Sequence, residues 1–96
     1  MEDLRAVSYG HAVSSLGYEV KVGKDDLYYR DAERHVDWQC KKQKDNTLFI
    51  YSKSISVKRH GAGAHKEAKL DDREAQMIPQ IVLKALKVLK IRAEYK

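Results

Sequence analysis

The 96-residue chain contains a single cysteine, Cys40, so it cannot form a disulfide within itself. A secreted scaffold held together by disulfides is therefore excluded, and we expect a reducing, cytoplasmic location. One proline and five glycines favour regular secondary structure over most of the chain. No stretch approaches the ~18 consecutive apolar residues of a transmembrane helix, so no membrane association is expected.

The first residues do not have the pattern expected of a targeting signal. Glu2 and Asp3 open the chain and no continuous apolar run follows them, so we expect no signal peptide. The length predicts a single domain over residues 1–96, with a modest core that needs neither a metal ion nor a disulfide. We therefore expect no cofactor.

Positive charge is concentrated in the middle of the chain. Residues 41–69 contain eight lysines and arginines and two acids, whereas residues 1–40 contain five and eight. The net charge of +5 therefore understates the local field that a partner of this middle segment would meet. This distribution predicts a negatively charged partner.

The apolar residues of the first segment recur near helical spacing. The spacing predicts an N-terminal helix over residues 2–16, which ends at Gly17. The residues that carry this pattern are Leu4, Val7, Val13 and Leu16.

Alternating apolar and polar residues then predict an antiparallel meander of about four strands. The clearest alternation places Val36, Trp38 and Cys40 on one face of a strand. A long final strand, residues 48–57, has Phe49 and Val57 on the same face. The four predicted strands cover residues 18–22, 27–30, 35–41 and 48–57.

The last third of the chain predicts a longer C-terminal helix. Asp71 and Glu74 have the spacing of a capping box, and Pro79 is expected to kink the helix or to mark its start. A wide apolar stripe follows, which would pack on one face of the sheet. Its residues are Ile78, Ile81, Val82, Ala85, Leu86 and Leu89. The predicted fold class is thus α+β, with a four-stranded meander and two helices.

Ten basic residues of the hairpin and the following loop are the candidate binding residues. Lysines on two antiparallel strands could follow a phosphate backbone, and each contact would release counterions. In the loop KRHGAGAHKEAK, residues 58–69, Gly61 and Gly63 permit backbone conformations that cradle an anion. The candidates are Lys41, Lys42, Lys44, Lys53, Lys58, Arg59, His60, His65, Lys66 and Lys69.

The function predicted from these residues is a non-catalytic module that binds the phosphate backbone of RNA or DNA. An ordinary explanation stays open, because lysines also keep an exposed sheet soluble and block edge pairing. No cluster of arginines and asparagines marks a helix that reads base edges.

The run GAGAHKEAK, residues 61–69, resembles the segment that opens the second helix of double-stranded-RNA-binding domains. The predicted order of helix, antiparallel strands, basic loop and helix is also similar to theirs. The resemblance implies that lysines at the start of the helix contact phosphates across a groove. By position these are Lys66 and Lys69, with His65 in the place of the family's serine.

A second resemblance is to PD-(D/E)xK nucleases, through the segment LGYEV and an acid and a lysine on later strands. It implies a Mg²⁺ site that includes Asp37 and Lys53, with Glu2 or Glu19 nearby. Tyr51 stands where that family has an acid, two residues before the lysine. This departure weighs against nuclease activity, which is kept as an alternative.

Metal ligands are few. His35 and Asp37 alternate to the strand face opposite Cys40, and no residues have the paired spacing of a structural zinc site. We therefore predict no metal site, and Cys40 as a small core residue beside Trp38.

The main alternative function is a protein-binding adaptor or inhibitor that docks an acidic partner. Several apolar residues of the last helix fall partly off its main stripe. If they are exposed, the helix would pack against another chain, and a homodimer through this helix is expected. These residues are Met77, Leu83, Val88 and Ile91.

Overall fold

The computed structural model describes residues 3–59 and 69–96 of the chain. Within these ranges it contains eight strands, one α-helix and one short 3-10 helix, Ser52–Ser54. The strands are β1 (Leu4–Ser8), β2 (His11–Ser14), β3 (Glu19–Val22), β4 (Asp26–Arg30), β5 (Arg34–Lys42), β6 (Leu48–Ile50), β7 (Ser56–Arg59) and β8 (Ala93–Tyr95); the α-helix is α1 (Asp72–Val88).

The strands form one curled, mixed sheet with the shape of a half-barrel. They are hydrogen-bonded in the order β1-β2-β3-β4-β5-β6-β8, and β7 pairs with the first half of β5. All pairs are antiparallel except β6 with β8, which is parallel. The predicted α+β class and the C-terminal helix are confirmed, whereas the meander of about four strands is wrong.

The predicted N-terminal helix is also wrong, because residues 4–14 form the hairpin β1–β2. Gly10 turns the chain at φ +74°, a left-handed conformation that glycine adopts without strain. The residues that point into the core are Ala12 and Ser14, at the two-residue period of a strand. Val7 and Leu16, which suggested a helix, are 53% and 69% exposed.

The predicted long strand over residues 48–57 is interrupted. Its two halves, β6 and β7, pair with the two halves of β5, and the 3-10 helix bulges out between them. The bulge keeps its polar groups paired, since Gln39 N donates to Ser54 Oγ at 2.8 Å and Tyr51 N donates to Gln39 O at 2.9 Å. The interruption leaves Tyr51 and Ile55 exposed, so the predicted apolar face of this strand is not continuous.

The core lies between the concave face of the sheet and α1. Val36, Trp38 and Cys40 are buried there on one face of β5, as predicted. From the helix, four residues of the predicted stripe are fully buried and Ile81 and Leu89 are partly buried. The four are Ile78, Val82, Ala85 and Leu86. In the described ranges no helix is long and apolar enough to cross a bilayer.

The start of α1 is tied to the sheet by one carboxylate. The predicted capping box is confirmed, because Glu74 N donates to the side chain of Asp71 and Asp71 N donates to the side chain of Glu74. The same carboxylate forms ion pairs with Arg34 of β5 and, at 2.6 Å, with Arg59 of β7. The hydrogen bond from Arg59 is the largest of the contacts that lower the pKa of Glu74 to about 2.

The helix runs through Pro79 and ends beyond Val88 in a left-handed turn. Lys90 N donates to Lys87 O at 3.0 Å and Ile91 N donates to Leu86 O at 2.8 Å, which is a Schellman motif. The chain then returns as β8, a strand that the sequence did not predict.

Strand β8 connects the sheet to the helix. Tyr95 Oη donates to the carbonyl oxygen of Pro79 at 2.9 Å, and its ring meets Trp38 edge-on with the centroids 6.5 Å apart. The helix is therefore held to the sheet near its start by Glu74 and in its middle by Tyr95.

Candidate functional site

A cleft of about 750 Å³ opens at the end of the half-barrel where the helix terminates. Three hairpin turns and the C-terminal end of α1 surround it. Its floor is apolar, formed by Val22, Leu48, Leu89 and Ile91, and lysines lie around it. The remaining lining residues are Tyr9, Gly10, Gly23, Lys24, Asp25, Lys41, Lys42, Asn46 and Lys90.

Backbone hydrogen bonds hold the three turns in place. Val22 N donates to Gly10 O at 2.7 Å, which joins the β1–β2 turn to β3. Cys40 N donates to Asp25 O at 2.9 Å, which joins the β3–β4 turn to β5. Leu48 N donates to Arg92 O at 2.7 Å, which joins the end of the β5–β6 turn to the residues just before β8. The cleft is therefore built on a fixed scaffold, which favours precise positioning of a ligand.

The cleft carries an excess of positive charge. Lys24, Lys41, Lys42 and Lys90 line it, against the single carboxylate of Asp25. None of these four ammonium groups forms an ion pair with any residue in the part of the chain that the structure describes. Uncompensated cations beside a low-dielectric wall concentrate the field, so the cleft attracts anions.

Lys90 stands in an unusual backbone conformation. Its φ is +61°, at the helix C′ position where glycine is usual. A left-handed conformation costs a lysine roughly 1–2 kcal/mol. The residue places a charge beside the cleft and offsets the partial negative charge of the helix terminus. Strain of this kind is concentrated at functional sites.

The predicted binding residues that the structure describes lie mainly at both ends of β5. Lys41 and Lys42 lie at the cleft, and Lys44 lies in the adjoining β5–β6 turn. Lys58 pairs across from His35, at the other end of β5. Lys41 is six positions along β5 from His35, so the two groups lie about 20 Å apart at ~3.3 Å per residue. Lys53 is exposed in the 3-10 helix between them.

At the other end of β5, the side chain of Arg59 is bound to other residues of the fold. Its guanidinium donates to Glu74 and, at 3.2 Å, to the carbonyl oxygen of Lys69. Lys69 itself is exposed just before α1. His60, His65 and Lys66 lie outside the described residues, as does most of the segment that resembles double-stranded-RNA-binding domains.

The residues that the nuclease resemblance implies lie on the convex face of the sheet and in the bulge. Asp37 Oδ1 is 3.0 Å from His35 Nε2, and Tyr28 stacks on His35 with centroids 4.8 Å apart. Lys53 lies in the 3-10 helix rather than on a strand. Across the described ranges, no group of three or more His, Cys, Asp or Glu side chains could hold a metal ion.

The carboxylate of Glu19, another acid that the nuclease resemblance implies, already contacts two side chains of the protein. It contacts His11 Nε2 at 3.2 Å and Arg30 at 2.5 Å. Burial raises the pKa of Glu19, but the hydrogen bond with His11 and the charge of Arg30 outweigh that effect and hold the pKa below its usual value. Glu2 lies outside the described residues.

Cys40 is a core residue, as predicted. It is buried, and burial together with the charges of Asp26 and Asp25 raises the pKa of its thiol to about 11. Because the thiolate is the nucleophile, we expect this buried cysteine to react slowly at neutral pH.

Patterns in the sequence did not predict that Lys24, Lys90 and Tyr9 line the cleft. They come from three separate segments, and only the folded chain brings them to the same cleft. One signal was available for Lys90, since a helix that ends without glycine leaves its C′ residue in an unfavourable conformation.

Comparison with known proteins gives no relative. No protein-family model, curated protein or solved structure matches the chain. The functional proposal rests on the geometry of the cleft.

Proposed function

We propose that the protein is a non-catalytic nucleic-acid-binding module that contacts phosphates with the lysines of the cleft. The observation that carries the proposal is the group of four lysines without ion pairs around an apolar floor. Lys41 and Lys42 belong to the basic segment that the sequence singled out, and Lys24 and Lys90 extend it. Lysine is a mobile point charge and suits phosphates whose positions vary along a strand.

The cleft offers much positive charge and few side chains that distinguish one base from another. The ammonium groups would neutralise phosphates and release counterions, so binding should weaken steeply with salt. Among the described residues, no arginine or glutamine lines the cleft, and Asn46 is the one amide side chain there that could pair with a base edge. We therefore expect binding that depends weakly on base sequence.

The test is a salt titration of binding to fluorescent oligonucleotides, with two variants that carry the same net charge. The first, Lys24→Gln/Lys42→Gln, removes two cleft lysines. The second, Lys21→Gln/Lys87→Gln, removes two exposed lysines elsewhere. Losing two phosphate contacts lowers the slope of log K against log salt by about 1.4 for a single strand.

The cleft variant should lose about 25-fold in affinity near 0.1 M salt, whereas the control should change it less than about threefold. Equal losses in the two variants would show that net charge alone is responsible, and the cleft would be refuted as the binding surface. Absence of binding at ~50 mM salt would refute nucleic-acid binding altogether. A Lys58→Gln variant examines the far end of β5 separately.

A second candidate function is binding of an acidic protein, and exposed apolar side chains on α1 favour it. Met77, Leu83 and Val88 are all exposed, and Met77 and Val88 lie eleven residues apart on one helical face beside Ile81. The variant Met77→Gln/Val88→Gln removes this face and leaves the cleft lysines intact. If that variant loses a protein partner or a homodimer in sedimentation experiments while oligonucleotide binding is absent, the second candidate is favoured.

A further inference from the structure

One aromatic side chain beside the cleft is almost fully in water. Tyr9 is 92% exposed, whereas Tyr18 and Tyr29 are buried against each other with their rings stacked at 5.5 Å. The Tyr9 side chain makes no hydrogen bond or ring contact with any residue in ranges 3–59 and 69–96. The ring therefore adds little to the packing of the described residues, and it is accessible to a ligand at the cleft.

The turn that carries Tyr9 is fixed. The next residue, Gly10, adopts φ +74° and its carbonyl oxygen accepts the 2.7 Å hydrogen bond from Val22 N. A Cβ at Gly10 would lie only 3.2 Å from the carbonyl oxygen of Val22, so the turn sits directly against β3. The backbone beside Tyr9 is therefore fixed, and the turn places the exposed ring at the margin of the cleft.

The apolar floor below the lysines cannot bind phosphate groups, because its side chains are hydrocarbon. Val22, Leu48, Leu89 and Ile91 would contact the faces of unstacked bases, while Lys24 and Lys42 contact the phosphates that join them. A duplex hides its base faces in the stack and presents phosphates on its outside. The volume of about 750 Å³ is also that of a pocket for a small ligand rather than for a double helix.

We infer that the ligand is a single-stranded nucleic acid, with one base stacked on Tyr9 and its neighbours' phosphates on the cleft lysines. This inference rests on the proposed function and names its ligand class. Every base has a π-face, so a tyrosine platform with a basic groove binds single strands with little sequence preference.

The experiment compares three probes of equal length by fluorescence anisotropy: an oligothymidylate of about twelve nucleotides, the matching abasic strand, and a duplex. The abasic strand keeps the phosphates and removes the bases. Wild-type protein should bind the oligothymidylate at least about tenfold more tightly than the abasic strand, because one stacked base alone contributes about that much. It should also prefer the oligothymidylate to the duplex.

Three variants locate the base. Tyr9→Ala should lower affinity for the oligothymidylate about tenfold, towards that for the abasic strand, with an unchanged salt slope. Tyr9→Phe should retain the preference, because stacking needs the ring and not the hydroxyl. Tyr51→Ala removes an exposed tyrosine that does not line the cleft, and it should leave both affinities unchanged.

The outcomes separate the inference from the proposed function. Equal affinity for normal and abasic strands, or preference for the duplex, would overturn the single-strand inference, while phosphate binding by the cleft lysines would stand. Salt-independent or undetectable binding of all three probes would overturn both.

Discussion

Replacement of Lys90 by glycine should stabilise the protein and weaken its binding to nucleic acid. Lys90 holds φ +61° in the Schellman motif that ends α1, and both hydrogen bonds of that motif are made by backbone atoms. Glycine would keep these bonds and relieve a left-handed penalty of roughly 1–2 kcal/mol. The greater freedom of glycine in the unfolded chain lowers the free energy of unfolding by about 0.5–1 kcal/mol, so the net stabilisation is about 0.5–1 kcal/mol.

The same change removes one cation from the cleft. For a single strand, each phosphate contact contributes about 0.7 to the slope of log K against log salt. Relative to 1 M salt, where this contribution vanishes, one contact is worth about fivefold in affinity at 0.1 M. Stability and binding should therefore move in opposite directions in one variant.

Urea unfolding and anisotropy on the same protein sample measure both effects. A suitable control is Asn46→Gly, since Asn46 also lines the cleft at positive φ, +70°, but has no charge. We expect it to change stability by less than about 0.5 kcal/mol and to leave the salt slope alone. The reasoning is refuted if Lys90→Gly destabilises the fold, or if it binds as tightly as wild type with the same slope.

Four further predictions follow from the structure. Glu74→Gln should lower the free energy of unfolding by about 2 kcal/mol at pH 7. Because the pKa of Glu74 is held at about 2, this difference from wild type should shrink as the pH falls from about 5 towards 2. A pH-independent difference in urea unfolding would contradict this. Tyr95→Phe should cost about 1 kcal/mol in the same assay through loss of the bond to Pro79 O, and no change would contradict that contribution. Native Cys40 should resist a thiol reagent at pH 8 and react once urea unfolds the protein, whereas rapid native labelling would contradict its burial. Asp25→Asn should tighten oligonucleotide binding about twofold, the effect of one screened charge at ~8 Å, and weaker binding would contradict an anionic ligand.

Glu33→Gln serves as the control for Glu74→Gln. Glu33 pairs with the same arginine, Arg34, at 2.7 Å, but its side chain is largely exposed. Exposed ion pairs contribute little, so this change should cost less than about 1 kcal/mol. A cost equal to that of Glu74→Gln would show that the burial of the Glu74 cluster is unimportant.

Elements whose patterns are local could be predicted from the sequence. The capping residues Asp71 and Glu74 and the apolar stripe that follows them specify α1, because side chains three and four apart share a helical face. The alternation through Val36, Trp38 and Cys40 specifies β5 and the face that it buries. The α+β class follows from these elements together.

The conformations of the N-terminal segment and of β8 depend on tertiary structure. Val7 and Leu16 fit a helix by their spacing, but pairing of β2 with β1 and β3 buries Ala12 and Ser14 instead and leaves the larger side chains outside. Strand β8 is three residues long and forms through its parallel pairing with β6. Such long-range pairing satisfies backbone hydrogen bonds that local propensity does not encode.

The candidate site divides in the same way. The sequence marked a basic segment and, within it, Lys41 and Lys42. Only the curl of the sheet brings Lys24, Lys90 and Tyr9 to these two lysines, and the same geometry moves Lys58 about 20 Å away along β5. Charge is a property of composition, but a site requires charges to converge, and convergence depends on the pairing and register of strands far apart in the chain.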